Sequence, residues 1–386
     1  MEERKQNITQ SDLLSDDSSN ENNAQKVEKP VKKKAANIFW NIFLIVVIAI
    51  GILSLFGIVK ELDPQSGASF GEVMSGASPA FIAVLVLVIV LTMACDVGKY
   101  CIITKTVTGR MRLATSVKTH FLGKYYDAVT PFSTGGQPMQ IYYLNTKGIS
   151  GGNSTAIVLI RYYSSVLCWI TLGGILMAVG AVNGVLNDVS VGTVLKVTGW
   201  IGIAINLIIP LFVTLFLILP RFMQKLTEGI VKLGKKLRIV KDAEKTTAKA
   251  TRVVSDFKQS FKLMATSPVK LILLILVSFG EVFLTFATPF FVMKALSCPV
   301  DGMIIDVMAL NAFATFGVSF VPTPGNSGVV EGMGARALSV AAGSALVWSV
   351  LVWRLSVFYL YILIGLGITV FDVICRNVAA KRRAKV

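Results

Sequence analysis

Two arginines stand inside apolar helical runs. Arg161 lies in Ile157-Val158-Leu159-Ile160-Arg161-Tyr162-Tyr163, and Arg354 lies in Leu351-Val352-Trp353-Arg354-Leu355. Ionisable groups at membrane depth are costly and usually face a cavity. A guanidinium there can hold phosphate through two parallel hydrogen bonds, which suits a lipid phosphodiester. The alternative for each is a structural pairing with a carboxylate or with broken-helix carbonyls. The acids of the apolar region are Asp96, Asp127, Glu281, Asp306 and Glu331. Asp127, Glu281 and Glu331 are read as groups that attract a cationic headgroup or carry a proton. Lys124 and Arg336 are the alternative salt-bridge partners of these acids, and Asp96 is read as an interfacial charge paired to Lys99. Tyr125, Tyr126, Tyr142 and Tyr143 either line the same pocket or form an aromatic belt.

Each arginine follows, by roughly thirty residues, a polar break rich in glycine and proline. The first break is Thr130-Pro131-Phe132-Ser133-Thr134-Gly135-Gly136-Gln137-Pro138, and the second is Val321-Pro322-Thr323-Pro324-Gly325-Asn326-Ser327-Gly328. Open backbone survives at membrane depth only when it is buried in protein or lines a wet cavity. A repeated pair of such breaks points to a transporter's central site. The half-helix ends near Gly135-Gly136 and Gly325-Asn326 are expected to offer backbone N–H groups and a dipole to an anion.

The elements that must position these residues follow from composition. The chain has 386 residues, 54% of them apolar, which is too apolar for a soluble domain of this size. Spans are predicted over about 38–59, 79–100, 154–182, 195–219, 268–293 and 345–375, with interrupted stretches at 113–150 and 303–343 read as re-entrant hairpins. The net charge of +16 resides almost wholly outside the apolar runs and comes without a nucleic-acid-binding motif, so nucleic acid is not expected as a partner. With a cytoplasmic tail and hairpins that do not cross, the inside loops hold Lys99, Lys105, Arg110, Arg112 and Lys118, twelve basic residues in 221–264, and five at the C-terminus. The outside loops hold Lys60, Lys196 and Lys294, a sharp positive-inside bias. The two halves are then inverted repeats, with hairpin tips meeting near the midplane.

The expected fold is therefore an all-α membrane protein of six transmembrane helices plus two re-entrant helical hairpins in an inverted-repeat arrangement. Residues 1–37 form a polar, disordered cytoplasmic tail ending in Lys32-Lys33-Lys34; 38–219 form the first membrane half; 220–266 a basic amphipathic cytoplasmic linker; 267–376 the second half; and 377–386 a basic tail. Gly229-Ile230-Val231-Lys232-Leu233-Gly234-Lys235-Lys236 misses the phosphate-loop pattern, with no Ser/Thr for magnesium and no preceding strand. The five cysteines have no framework spacing, and His120 is the sole histidine, so no disulfide, metal or cofactor is expected.

The run Tyr125-Tyr126-Asp127-Ala128-Val129-Thr130-Pro131-Phe132-Ser133-Thr134-Gly135-Gly136-Gln137-Pro138-Met139-Gln140 resembles the first signature of the lysylphosphatidylglycerol synthase transmembrane-region family. Pro322-Thr323-Pro324-Gly325-Asn326-Ser327-Gly328-Val329-Val330-Glu331 is similar to its second, and the resemblance covers roughly residues 38–375. It departs from the family pattern at Asp127, where asparagine is expected, and at Asn326, where glycine is expected. The resemblance implies the flippase half of the bacterial multiple-peptide-resistance protein, which moves aminoacylated phosphatidylglycerol outward and lowers surface negative charge. No counterpart of the family's soluble aminoacyl-tRNA-dependent transferase domain is present in the sequence, so lipid aminoacylation is not expected. The expected substrate-binding set is Arg161, Arg354, Asp127, Glu281, Glu331, Gly135, Gly136, Gln137, Gly325, Asn326, Lys124 and Tyr126, with no catalytic residue. Expected partners are membrane phospholipids, a separate aminoacyl-lipid synthase and a second copy of the chain in a homodimer, in a bacterial cell membrane with both termini cytoplasmic. The competing readings are a membrane phosphatidylglycerol lysyltransferase, a carrier of a polyprenyl-linked sugar or small solute, and a non-transporting scaffold.

Overall fold

The computed structural model describes residues 68–130, 133–187, 192–208, 258–321 and 323–383, with a few positions between 210 and 255. The predicted first span, the N-terminal tail, most of the basic linker and the last three residues lie outside the described residues, whereas most of the predicted C-terminal tail continues the last helix to Arg383. Within them every regular element is helical.

The short helix α1 (Phe70–Ser75) opens on a capping box, in which the Ser69 hydroxyl accepts from the Glu72 N–H while Glu72 accepts from the Ser69 N–H. Helix α2 (Pro79–Thr108) has proline in its first turn and closes on Gly109 in the left-handed conformation. It continues well past Tyr100, where the apolar run ends. Helices α3 (Leu113–Val129) and α4 (Gly136–Thr146) form a hairpin around the first break. Helices α5 (Gly151–Val182), α6 (Gly192–Asn206) and α7 (Pro268–Ala295) follow, and α8 (Ile304–Val318) with α9 (Val329–Ala342) forms a second hairpin around the second break. Helix α10 (Leu346–Arg354) passes through a π-helical turn (Leu355–Tyr359) into α11 (Leu360–Arg383).

Four stretches are long and apolar enough to cross a membrane: Pro79–Thr108, Gly151–Val182, Pro268–Ala295 and Val329–Asp372. Thr193–Asn206 and Ile304–Val318 are shorter apolar helices. Large apolar side chains such as Leu87, Leu276 and Leu363 are exposed, as a lipid-facing surface requires. The chain is a multi-pass α-helical membrane protein.

Packing crosses between the halves. Helix α2 lies along α7, the first limb of hairpin one (α3) packs on α11, and the first limb of hairpin two (α8) packs on α5 and α6. Helix α3 also touches the second break at Pro324–Asn326. The two hairpin tips therefore meet.

Candidate functional site

Helix α2 places Asp96 and Lys99 one turn apart, where i,i+3 side chains share a face. Both are essentially fully buried, and their charged groups are 2.7 Å apart. Arg161, from α5, reaches the same carboxylate, its guanidinium donating to Asp96 Oδ1 at 2.7 Å. Lys99 also donates to Glu281 Oε2 on α7 at 3.1 Å and to Ser165 Oγ on α5 at 2.8 Å. Lys124 Nζ, on α3, stands 3.9 Å from Asp96 Oδ2. Two carboxylates, Asp96 and Glu281, thus face three cations, Lys99, Lys124 and Arg161. Arg161 Nε has no hydrogen-bond partner among the described residues. Asp127, on α3, lines the same cavity as Lys124 and Arg161 and brings a third carboxylate, so acids and cations balance across the cluster.

Asp96 is buried within the protein, and its expected pairing with Lys99 is present. Lys99 is a buried ion-pair member and not a loop charge, because α2 continues through it. Glu281 pairs with Lys99, not with Lys124. His120 is buried beside the cluster, with Nδ1 3.7 Å from Asp96 Oδ2 and neither ring nitrogen hydrogen-bonded among the described residues.

The second arginine is held differently. Arg354 Nε donates to Glu331 Oε1 at 2.8 Å, and its NH2 group approaches the Gly325 carbonyl at 3.5 Å and Ser327 Oγ at 3.4 Å. Its guanidinium carbon lies 4.1 Å from the Phe358 ring centroid. Glu331, which is 1% exposed, also accepts from the Gly328 N–H at 2.6 Å and approaches the Tyr359 hydroxyl at 3.5 Å. Arg336 contacts the Gly332 carbonyl and leaves Glu331 to Arg354. The structural pairing weighed for the arginines from sequence is present at both, and most completely at Arg354.

The hairpin ends are capped by the chain itself. The Gly135 N–H donates to Thr130 Oγ1, and the Gly136 N–H to Asp127 Oδ1, each at 2.8 Å. A Cβ at Gly136 would collide with that carboxylate, so glycine is what allows the cap. In the second break the Asn326 N–H donates to the Thr323 carbonyl at 3.0 Å, and Gly325 takes φ +57°. These backbone donors were expected to be open to an anion; they are occupied because nearby side chains and carbonyls reach them first.

Between the tips lies a half-open cavity of about 880 Å³. Of the residues expected at the site, Arg161, Arg354, Lys124, Asp127, Gln137, Gly325 and Asn326 line it. Ser133, Thr134, Asn206, Asn311, Thr315 and Ser319 add polar groups, and Trp169, Trp353 and Val357 add apolar ones. Glu281 lines an adjoining chamber of about 180 Å³. Glu331, Gly135, Gly136 and Tyr126 support the walls without lining either space. Asn311 reaches the wall through a proline effect. Pro289, inside α7, cannot donate to the carbonyl four residues back, and the Asn311 amide donates to the Phe286 carbonyl at 3.2 Å and approaches that of Thr285 at 3.5 Å. Asp96, Lys99 and Asn311 were not among the expected site residues. The available signals were the Asp96/Lys99 spacing at the end of a long apolar run and the proline inside the fifth span.

Broken helical hairpins meeting over a charged internal cavity define the class as a polytopic helical membrane protein with a polar site between its halves. The chain belongs to the lysylphosphatidylglycerol synthase TM region family, whose model matches residues 42–365. The match relates it to membrane proteins of the aminoacyl-phosphatidylglycerol pathway. A search of curated proteins finds no match to the chain.

Proposed function

We propose that this protein is a lipid flippase that carries aminoacylated phosphatidylglycerol, or a closely related phospholipid, across a bacterial cell membrane and so contributes to resistance to cationic peptides. The supporting observation is the 880 Å³ cavity between the two hairpin tips, lined by an arginine from each half and by Lys124 and Asp127. A headgroup crossing hydrocarbon alone loses its hydration, at roughly 2–7 kcal/mol for even one unsatisfied polar group. A cavity of mixed charge replaces that hydration while the acyl chains stay in the bilayer.

On this reading the two hairpins are re-entrant from opposite faces, and the cross-packing of α3 on α11 and of α8 on α5 supports an inverted repeat. Arg161 and Lys124 hold the phosphate, since both line the cavity and Arg161 Nε has no hydrogen-bond partner among the described residues. Arg354 and Glu331 form the floor of the second hairpin and keep its break in shape. The protein acts with both termini in the cytoplasm, beside a separate synthase that supplies the lipid.

The experiment is reconstitution of the purified chain into liposomes with fluorescent aminoacyl-phosphatidylglycerol. Exposure of the label to an external quencher is expected to be faster than in empty liposomes. Equal rates with and without protein, across anionic and aminoacylated lipids, would sink the flippase reading. A lipid-linked rise that Arg161→Ala leaves untouched would move the phosphate site elsewhere.

A further inference from the structure

The last membrane helix is not a continuous α-helix. Between α10 and α11 the turn Leu355–Tyr359 is π-helical, and the Leu360 N–H donates to the Leu355 carbonyl, five residues back. Ser356 supplies a local cause. Its hydroxyl donates to the Val352 carbonyl at 2.7 Å, and such back-bonding bends a helix. A turn closed five residues back, not four, holds one residue more than the α-helical path. Such turns are rare and occur frequently at functional sites.

The packing changes partner at this turn. On its N-terminal side α10 lies against α9 and α7. There Trp353 packs on Gly334, and Arg354 holds Glu331. The turn itself still belongs to hairpin two, with the Phe358 ring against Arg354 and Gly325, and with the Tyr359 hydroxyl near Glu331. From Tyr361 onward the partner is the first limb of hairpin one. Tyr361 meets the His120 ring edge-on, Gly365 closes on Tyr125 and the Phe121 carbonyl, and Asp372 pairs with Lys118. One helix is thus fastened to the second hairpin at one end and to the first at the other, with the π turn between. Val357, within the turn, lines both the large cavity and the adjoining chamber, so a bend there reshapes both.

When two packed bodies move, a few residues of the element that joins them absorb the change in φ and ψ. A regular helix resists such a change, because every N–H is committed four residues back. We propose that the Leu355–Tyr359 turn is the hinge on which the two broken hairpins move against one another, opening the cavity to one membrane face and then to the other. Hairpin two with α10 is one arm, and hairpin one with α11 is the other. This rests on the reading of the cavity as a transport site, and it adds which residues carry the motion.

The test removes the additional residue. Leu355 is exposed, and its deletion lets the turn close as ordinary α-helix while the faces before and after it keep their directions. A cysteine placed at Thr315, a half-buried position on the cavity wall, reports access. It is labelled with a membrane-impermeant maleimide in intact cells and in inside-out vesicles, and counted above the labelling of protein without that cysteine. With the turn intact, labelling is expected from both faces. With Leu355 deleted and the melting midpoint kept, labelling from one face is expected to slow about tenfold, and lipid exposure in liposomes to fall as far. If the shortened chain does not fold, Ser356→Ala decides. Loss of the hydroxyl on the Val352 carbonyl is expected to slow labelling from that face about threefold. One-sided labelling with the turn intact overturns the hinge, and so does two-sided labelling at full rate in the folded deletion or, where that chain does not fold, in Ser356→Ala. Two-sided access that is lost on deletion, in a protein that moves no lipid even with its turn intact, leaves the hinge standing and removes the flippase reading. Lipid movement at full rate in the folded deletion does the reverse.

Discussion

The two buried arginines occupy corresponding places, each after a broken hairpin, yet they are used in opposite ways. Arg354 is enclosed by its own hairpin: Glu331, the Gly325 carbonyl, Ser327 and the Phe358 ring all surround it. Its charge is matched one to one, and its partners lie within a single supersecondary unit and the turn that follows. Arg161 reaches away from its hairpin to α2, into a cluster gathered from four helices, and its Nε finds no partner among the described residues. One arginine closes a structural joint, and the other stands in a shared cluster on the wall of the cavity. Equivalent sequence positions acquire different duties because the neighbouring carboxylate is local in one half and remote in the other.

The largest expected effect is on the remote cluster. Asp96→Leu leaves Lys99 and Arg161 buried without their shared carboxylate, and breaking such a contact costs about 3–5 kcal/mol. Thermal unfolding of the purified protein in detergent is expected to show a pronounced drop in midpoint. A midpoint equal to that of the unaltered protein would mean that the cluster does not hold α2, α5 and α7 together.

Next in size is Glu331→Gln, which strands Arg354 and is expected to cost about 3 kcal/mol. The companion is the double change Glu331→Met with Arg354→Met. It removes both charges at once, so it is expected to recover stability to within about 1 kcal/mol, the remainder being the lost contact to the Gly328 N–H. It is also expected to keep most lipid translocation. The parallel double change Asp96→Leu with Arg161→Met is expected to fold and yet not to translocate. Loss of translocation in both doubles would give the two arginines the same role.

Smaller effects are expected at the tips. Gly136→Ala forces the Asp127 carboxylate off its cap, and Gly325→Ala combines a left-handed φ with a clash on the Phe358 ring. Each is expected to cost about 1–3 kcal/mol, seen as a lower melting midpoint. Asp127→Asn is expected to change stability least, by under about 0.5 kcal/mol, because the asparagine oxygen can accept the same Gly136 N–H. A larger fall would show that the charge of Asp127, and not its acceptor oxygen, holds the first tip.

Much of the frame was legible in the sequence, and particular residues show why. Pro79 and Pro268 mark helix starts, and the apolar runs after them are long enough that length alone selects a spanning helix. Pro131, Gly135, Pro324 and Gly325 announce breaks because they restrict or free the backbone locally, whatever surrounds them. The family signatures fall on these same local features. Helix α2, in contrast, was expected to end near Tyr100, since hydropathy falls at Lys99. It continues to Thr108 because Lys99 is neutralised by Asp96 and Glu281, and Glu281 is 182 residues distant in sequence.

The sequence by itself determined that this is an α-helical membrane protein with two broken hairpins, two arginines at depth and few acids to meet them. Those properties depend on composition and on spacing within one helix, and such short-range rules need no partner. Which acid meets which arginine was decided only by the tertiary structure. Asp96 and Glu281 come to one cluster because α2 and α7 pack side by side; Glu331 goes to Arg354 because their helices share a hairpin floor. Charge pairing acts over a few ångströms in space and is indifferent to distance along the chain. The cavity, and the mixed charges that face it, exist only once the helices are packed.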